Sequence, residues 1–284
     1  MTTPTALPVT YNGKKTNAAK QIWELLGDPK HYIEPFAGSC AVLLSRPHDY
    51  TQRYETINDY DAYLANLLRA IKLDPEKLFE HVDATPANKI EFAALRKEAR
   101  TEEENLRELI EADRTYCDID TAAQYYAMLC GSFPGSSGLM AIPHTHVRLP
   151  YREGLKTIFE QIAKRFRYVC IHAASWETLV TNAQLLSPTA IYLDPPYDKT
   201  ERVYRQRNRV SADVEAWCLE QTGGPHRIVL SGYDSEHDTL LDHGWRKVET
   251  HTATSARVTL SNTTNTEQLW YTPNCIHPTE ETLF

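Results

Sequence analysis

The stretch "YIEPFAGSCAVLL", Tyr32 to Leu44, reads as a short strand, a glycine turn and the start of an apolar helix. Passing from strand to helix in so few residues is the repeating step of a parallel α/β sheet. Gly38 suits the turn, because it can take backbone angles that side chains resist. On its N-terminal side, Asn17 to Leu26 is predicted as a helix. On its C-terminal side comes a strand at "YETIN", then "DAYLANLLRAIK", whose Leu64, Leu67, Leu68 and Ile71 fall on one helical face. Asp61, at the head of that segment, is placed as its N-cap.

The alternation stops near Lys72. From there to about Arg167 the chain is mostly helical and polar, interrupted by the Gly/Ser/Pro/His stretch "GSFPGSSGLMAIPHTH". A loop of that length is expected to be functional or disordered. Strands resume at "YVCI", "AIYL" and "RIVLSG", and "WRKVETHTATSARVTLSNTTNTEQLWYTP" suggests a terminal antiparallel pair. The expected architecture is one α/β sheet built from residues 1–71 and 168–284, with residues 72–167 as a mainly helical insertion.

The 284 residues suffice for a large core, and 42% hydrophobic with 24% charged residues is ordinary for a globular chain. No apolar run approaches the roughly 20 residues that cross a bilayer, so a membrane partner is not expected. The beginning, "MTTPTALPVT", lacks signal-peptide regions, and a cytoplasmic location is the expectation. Six scattered cysteines form no CxxC pair, which speaks against zinc and disulfide frameworks. His144 and His146 form an H-x-H pair with no supporting cluster, and no metal is expected. The formal charge of −8 decides little about partners, because its distribution is uneven. Acids concentrate between Asp74 and Asp120, whereas cations gather in "HVRLPYREGLK", "KRFR" and "KTERVYRQRNR".

The chemistry centres on "TAIYLDPPYDK", Thr189 to Lys199. An apolar strand ends in Asp194-Pro195-Pro196-Tyr197. Proline holds its neighbour extended and donates no backbone hydrogen bond. The strand end thus offers two acceptors, the Asp194 carboxylate and the Pro195 carbonyl, with little to quench them. Such a pair suits an amino group with two hydrogens to give. On an aromatic ring that nitrogen is a weak nucleophile. Holding both hydrogens favours a more tetrahedral nitrogen, and a nearby carboxylate stabilises the positive charge that builds there. Tyr197 adds a stacking face for a base drawn out of its duplex. A plain turn could carry the same four residues. Chance alone gives them in about one such chain in a thousand, or about one in a hundred with related spellings, so other motifs must agree.

They do, in order. The chain resembles the amino-group DNA methyltransferases, in particular the Dam-type DNA adenine methylases. D-P-P-Y matches their catalytic motif, "YNGKK" their N-terminal glycine-lysine motif, "EPFAGSCAV" their E-P-F-x-G-x-G segment and "INDYDAYLANL" their acidic motif after the second strand. The helical insertion stands where the family has its target recognition domain. The resemblance implies a Rossmann-like, S-adenosylmethionine-dependent methyltransferase sheet with that domain inserted, acting at adenine N6 of double-stranded DNA. No obligate protein partner is evident. N4-cytosine or RNA methylation, or DNA binding without catalysis, stay open. Cytosine enzymes more often resemble S-P-P-Y and glutamine enzymes N-P-P-Y.

By the resemblance, Tyr11, Lys14, Glu34, Pro35, Phe36, Gly38, Asp59, Trp176 and Asp194 hold the cofactor. Asp59 lies about 20 residues past the glycine turn, where an acid for ribose hydroxyls is expected. The sequence departs from the family in two places. Cys40 replaces the second glycine, and "ASWETL" puts Ser175 where an aspartate often stands, beside Trp176, which is placed to stack. For DNA, Lys199, Arg202, Arg205, Arg207 and Arg209 follow Tyr197 and are placed to meet phosphates. Arg148 and Arg152 are candidates for reading guanine edges.

Overall fold

The computed structural model describes residues 4–9, 15–47, 51–85, 102–131, 152–182, 188–196, 208–250 and 266–276. Its elements in chain order are α1 (Ala19–Leu26), β1 (His31–Glu34), α2 (Ala41–Leu44), β2 (Tyr54–Asn58), α3 (Ala62–Leu73) and α4 (Pro75–Ala84). A helix over 102–112, α5, follows. Next come α6 (Ile119–Gly131), α7 (Arg152–Phe166), β3 (Val169–His172), α8 (Trp176–Asn182), β4 (Thr189–Leu193) and α9 (Asn208–Glu220). The chain finishes with β5 (Arg227–Tyr233), a 3-10 helix (Asp238–His243), β6 (Arg246–Glu249) and β7 (Glu267–Tyr271).

Local chemistry sets several boundaries. Asp61 caps α3 as expected: its carboxylate accepts from the N–H groups of Tyr63 (3.0 Å) and Leu64 (3.1 Å). Asp74 ends α3 and caps α4, with Pro75 in the first turn, where a missing N–H costs nothing. Gly27, at φ +70°, stops α1.

The seven strands form one sheet in the order β3-β2-β1-β4-β5-β7-β6. The first five strands in that row pair in parallel, and β7 runs antiparallel to both β5 and β6. The terminal pair is therefore present, and its second strand lies inward, against β5. All five residues of β4 are buried, as a central strand covered on both faces requires. On one face Tyr32, Ala190, Tyr192, Val229 and Leu269 share a core with α1, α3, α6 and α7. On the other, Ile191, Leu193, Ile228, Leu230 and Trp270 pack with Trp176, Val214 and Cys218 of α8 and α9.

The described helices of the 72–167 stretch do not build a core of their own. Leu78 and Val82 of α4, Tyr126 of α6 and Phe159 and Ile162 of α7 enter the same cluster as the sheet residues. Apolar positions at helical spacing drive them there, since each helix must bury its stripe against something. Residues 86–101 and 132–151 lie outside the described residues.

The far end of β5 is tightly constrained. A methyl on Gly232 would come within 2.8 Å of His237 Cδ2 and 2.9 Å of Trp270 Cζ3. Both rings are essentially buried and stack edge to face at 5.2 Å, so neither can yield cheaply. Gly232→Ala is expected to destabilise the fold by about 1–3 kcal/mol. Urea unfolding would measure this, and an unchanged midpoint would contradict the crowding.

Candidate active site

The order of the strands sets the place. The chain runs from β1 to β2 on one side and returns through β4 on the other, leaving a crevice at the carboxyl ends between them. Glu34 and Pro35 follow β1 there, Asn58 and Asp59 end β2, and Asp194 follows β4.

The turn after β1 is held by β2. Gly38 sits at φ +47° and donates its N–H to Asp59 Oδ2 at 3.0 Å. Asp59 Oδ1 accepts from the Asp61 N–H at 3.0 Å. The carboxylate is thereby fixed in place by backbone donors on both of its oxygens. Cys40 takes a left-handed conformation, φ +54° and ψ +26°, before α2. The position thus keeps the backbone a glycine would give, against a cost of about 1 kcal/mol for carrying a side chain. Its fully buried thiol, raised well above the ordinary range by burial, packs in the core.

Asn58 ties three strand ends together. Its amide donates to the carbonyls of Pro35 (2.9 Å) and Ala174 (3.0 Å), and its oxygen accepts from the Ala174 N–H at 2.8 Å. Next to Asp59, Tyr60 is 60% exposed, and the Arg107 guanidinium of α5 lies 4.1 Å above its ring. Arg107 also donates to the Tyr60 carbonyl at 2.7 Å, which fixes the pair as a flat platform beside Asp59. Phe36 and Trp176 lie against each other, ring centroids 6.2 Å apart, with Trp217 edge-on to Trp176.

Asp194 is partly buried, and its Oδ1 lies 3.0 Å from the Lys15 ammonium. Lys15 also reaches Glu267 Oε1, at 2.6 Å, from the start of β7. Burial alone would push the Lys15 pKa down; the charges of Asp194 and Glu267 more than reverse this and raise it well above its ordinary value. Pro195 is buried and Pro196 half-buried beside it.

Glu34 is the buried acid of the group. Burial, opposed by the Tyr32 hydroxyl donating at 2.9 Å, lifts its pKa from 4.5 to about 8. The negative charge of Asp194 pushes the same way as burial. Below about pH 4.5, folded and unfolded chains both hold this proton. Between about 4.5 and 8 the unfolded chain releases it and the folded chain keeps it, so stability falls as pH rises through that window. The total is about 3–5 kcal/mol. Glu34→Gln removes the titration while keeping an acceptor for Tyr32. The variant should gain stability relative to the parent between pH 5 and pH 8 in thermal unfolding; parallel pH profiles would exclude this account.

Among the expected site residues, the structure brings Glu34, Pro35, Phe36, Gly38, Asp59, Trp176, Asp194, Pro195 and Pro196 to the carboxyl end of the sheet. Tyr11, Lys14, Tyr197, Lys199, Arg202, Arg205, Arg207 and Arg148 lie outside the described residues. Arg152 opens α7 and Arg209 lies in the first turn of α9. Sequence reasoning missed Lys15, Asn58, Tyr60, Arg107 and Glu267. Lys15 is the second lysine of "YNGKK" and Tyr60 directly follows Asp59, so both had a local signal. Glu267 had none. Among the described residues there is no group of three or more His, Cys, Asp or Glu able to hold a metal. Nor is any described helix long and apolar enough to cross a membrane.

The family model for D12 class N6 adenine-specific DNA methyltransferases matches residues 11–268. The Retron Ec67 DNA adenine methylase of Escherichia coli is 28% identical over 236 residues, 79% of this chain and 76% of that one. The type II methyltransferase M.MjaIII of Methanocaldococcus jannaschii is 25% identical over 203 residues, 66% of this chain and 67% of that one.

Proposed function

We propose, for a chain that belongs to the D12 class N6 adenine-specific DNA methyltransferase family, that the Asp194 carboxylate and the Pro195 carbonyl hold the two N6 hydrogens of an adenine in double-stranded DNA. The observation that carries this reading is the place of Asp194: the carboxyl end of a central buried strand, beside the crevice where the sheet order reverses. The two acceptors orient the amine and stabilise the charge that grows on its nitrogen. Lys15 steadies the carboxylate through its Oδ1, at 3.0 Å. Tyr197, next along the chain, supplies the stacking face for the extruded base.

The residues at the crevice fit S-adenosylmethionine. Asp59, pinned by Gly38 and Asp61, faces the turn with the acceptors that ribose hydroxyls need. The Tyr60–Arg107 platform beside it offers an aromatic face to a purine. Glu34, Phe36 and Trp176 stand at the same crevice, and Tyr11 and Lys14 of the N-terminal motif are assigned to the cofactor as well. When bound, the cofactor supplies a methyl group on a positively charged sulfur.

For DNA, the assignment gives Lys199, Arg202, Arg205, Arg207 and Arg209 to phosphates around the target base. Arg148 and Arg152, within the 72–167 stretch, read base edges as part of the recognition unit. Incubating the purified protein with DNA and methyl-labelled S-adenosylmethionine, followed by nucleoside analysis and methylation-sensitive sequencing, tests the whole reading. The expected product is N6-methyladenine at one sequence context. N4-methylcytosine, or label found in RNA alone, would overturn it.

A further inference from the structure

We infer that Glu267 is a positioning residue for methyl transfer, acting on Asp194 through the shared ammonium of Lys15. The inference rests on the assignment of Asp194 as the acceptor of the target amine, and it adds to that assignment a residue from the opposite end of the chain.

The geometry is a three-charge row. Lys15 Nζ lies 2.6 Å from Glu267 Oε1 and 3.0 Å from Asp194 Oδ1, with the lysine almost wholly buried between them. The shorter contact is to Glu267, so the ammonium is anchored on β7 and presented to Asp194. A buried lysine with Asp194 as its sole carboxylate would bind it as tightly as the low dielectric allows and weaken it as an acceptor. A second carboxylate divides the ammonium's field and leaves Asp194 with more of its negative charge for the substrate. The two acids, acting against burial, hold Lys15 protonated.

Glu267 is itself held in place. It opposes Tyr233 in the β5–β7 register, and its carbonyl accepts from the Thr250 N–H at 3.1 Å. One residue earlier, Thr266 and Asp234 exchange two hydrogen bonds. The Asp234 N–H donates to the Thr266 carbonyl at 2.9 Å, and the Thr266 N–H donates to Asp234 Oδ1 at 3.1 Å. Asp234 makes this clasp from φ +51°, a left-handed conformation that L side chains seldom adopt. The strained clasp fixes where β7 begins, β7 fixes Glu267, and Glu267 fixes the ammonium against the strand end of β4. Tyr233 borders the same group, its pKa raised by burial and by the nearby acids, against the pull of Lys15.

A double-mutant cycle separates this role from a merely structural one. Glu267→Gln keeps an oxygen for Lys15 and removes the charge. It is expected to lower the single-turnover methyl-transfer rate on the order of tenfold, with binding of S-adenosylmethionine and DNA within about twofold. In a Lys15→Met background, Glu267→Gln should have no further effect on that rate. Equal losses in both backgrounds, or no loss in either, would overturn the inference. Should Lys15→Met fail to fold, Lys15→Arg carries the cycle, and there Glu267→Gln must cost as much as in the parent; a smaller cost also overturns it. Asp194→Ala, run alongside, tells the two levels apart. If it retains transfer, the assignment of Asp194 falls; if it loses transfer while Glu267→Gln does not, the role of Glu267 alone falls.

Discussion

Asp194→Ala is expected to reduce methyl transfer to DNA by about 1,000-fold or more, with affinity for DNA and cofactor changed only a few-fold. Removing one preorganised acceptor or donor aimed at developing charge typically costs about 100- to 1,000-fold. Here the group lost is a full charge in a partly buried setting, at the end of a strand with no freedom to adjust. Asp194→Asn, which keeps one oxygen, should retain more activity than the alanine variant, at about one hundredth of the parent. The alanine variant should still fold, because Lys15 keeps Glu267 as a partner and the apolar strand before it is untouched. Single-turnover transfer of labelled methyl groups, with melting curves for each variant, makes the comparison. Full activity in Asp194→Ala would falsify the two-acceptor clamp.

Glu55→Ala is expected to be the most damaging single change to stability, at about 3–5 kcal/mol. Glu55 lies in β2 at 3% exposure and answers two arginines. Arg46 Nη1 donates to its Oε1 at 2.9 Å, and Arg165 of α7 reaches both oxygens, one of them at 2.8 Å. Without the carboxylate, two guanidinium groups remain buried. Each keeps some support: Arg46 has Asp28 and the Pro29 carbonyl, at 2.9 and 2.7 Å, and Arg165 has the Leu43 carbonyl at 3.0 Å. Those contacts satisfy part of the guanidinium donors, and the one acid among them, Asp28, is shared with Arg53. The expected readout is a fall in melting temperature of about 6–20 °C, at about 2–4 °C per kcal/mol for chains approaching this size. A melting temperature within a degree or two of the parent would show that the arginines find other partners.

The sheet was readable because its signals are local. The strand, glycine turn and helix at Tyr32–Leu44, the face of Leu64, Leu67, Leu68 and Ile71, and the cap at Asp61 each depend on residues a few positions apart, and each stands in the structure. The inward place of β7 was not readable. Nothing in "EQLWY" distinguishes pairing with β5 from pairing at the edge, since a strand's partner is set by what the rest of the chain leaves open. The helices of the 72–167 stretch taught the same lesson. The sequence suggested a mainly helical insertion without showing what it packs on, and the narrow apolar stripes bearing Leu78, Tyr126 and Phe159 bind α4, α6 and α7 into the main core.

The site divides along the same line. Asp194, Asp59 and Gly38 belong to short motifs with fixed spacing, and the chemistry demanded of them could be argued from residue type. Lys15 and Tyr60 sit one position from motif residues and were passed over in favour of Lys14 and Asp59. Asn58 and Glu267 act across 116 and 252 positions of chain, the first on Ala174 and the second on Lys15. Contacts of that kind are made by topology, and a single sequence holds no trace of them.

The rooting of α6 and α7 in the main core carries one more consequence, for how such a protein can change its target. α6 ends at Gly131 with Tyr126 and Ala127 fully buried, and α7 begins at Arg152 with Leu155 and Phe159 buried just behind it. Both helices are therefore firmly seated in the body of the protein at the points where residues 132–151 join them in sequence. If target reading resides there, it behaves as an exchangeable cassette. One stretch can be replaced by another of different length and taste while the sheet, the crevice and the acid at the end of β4 stay as they are.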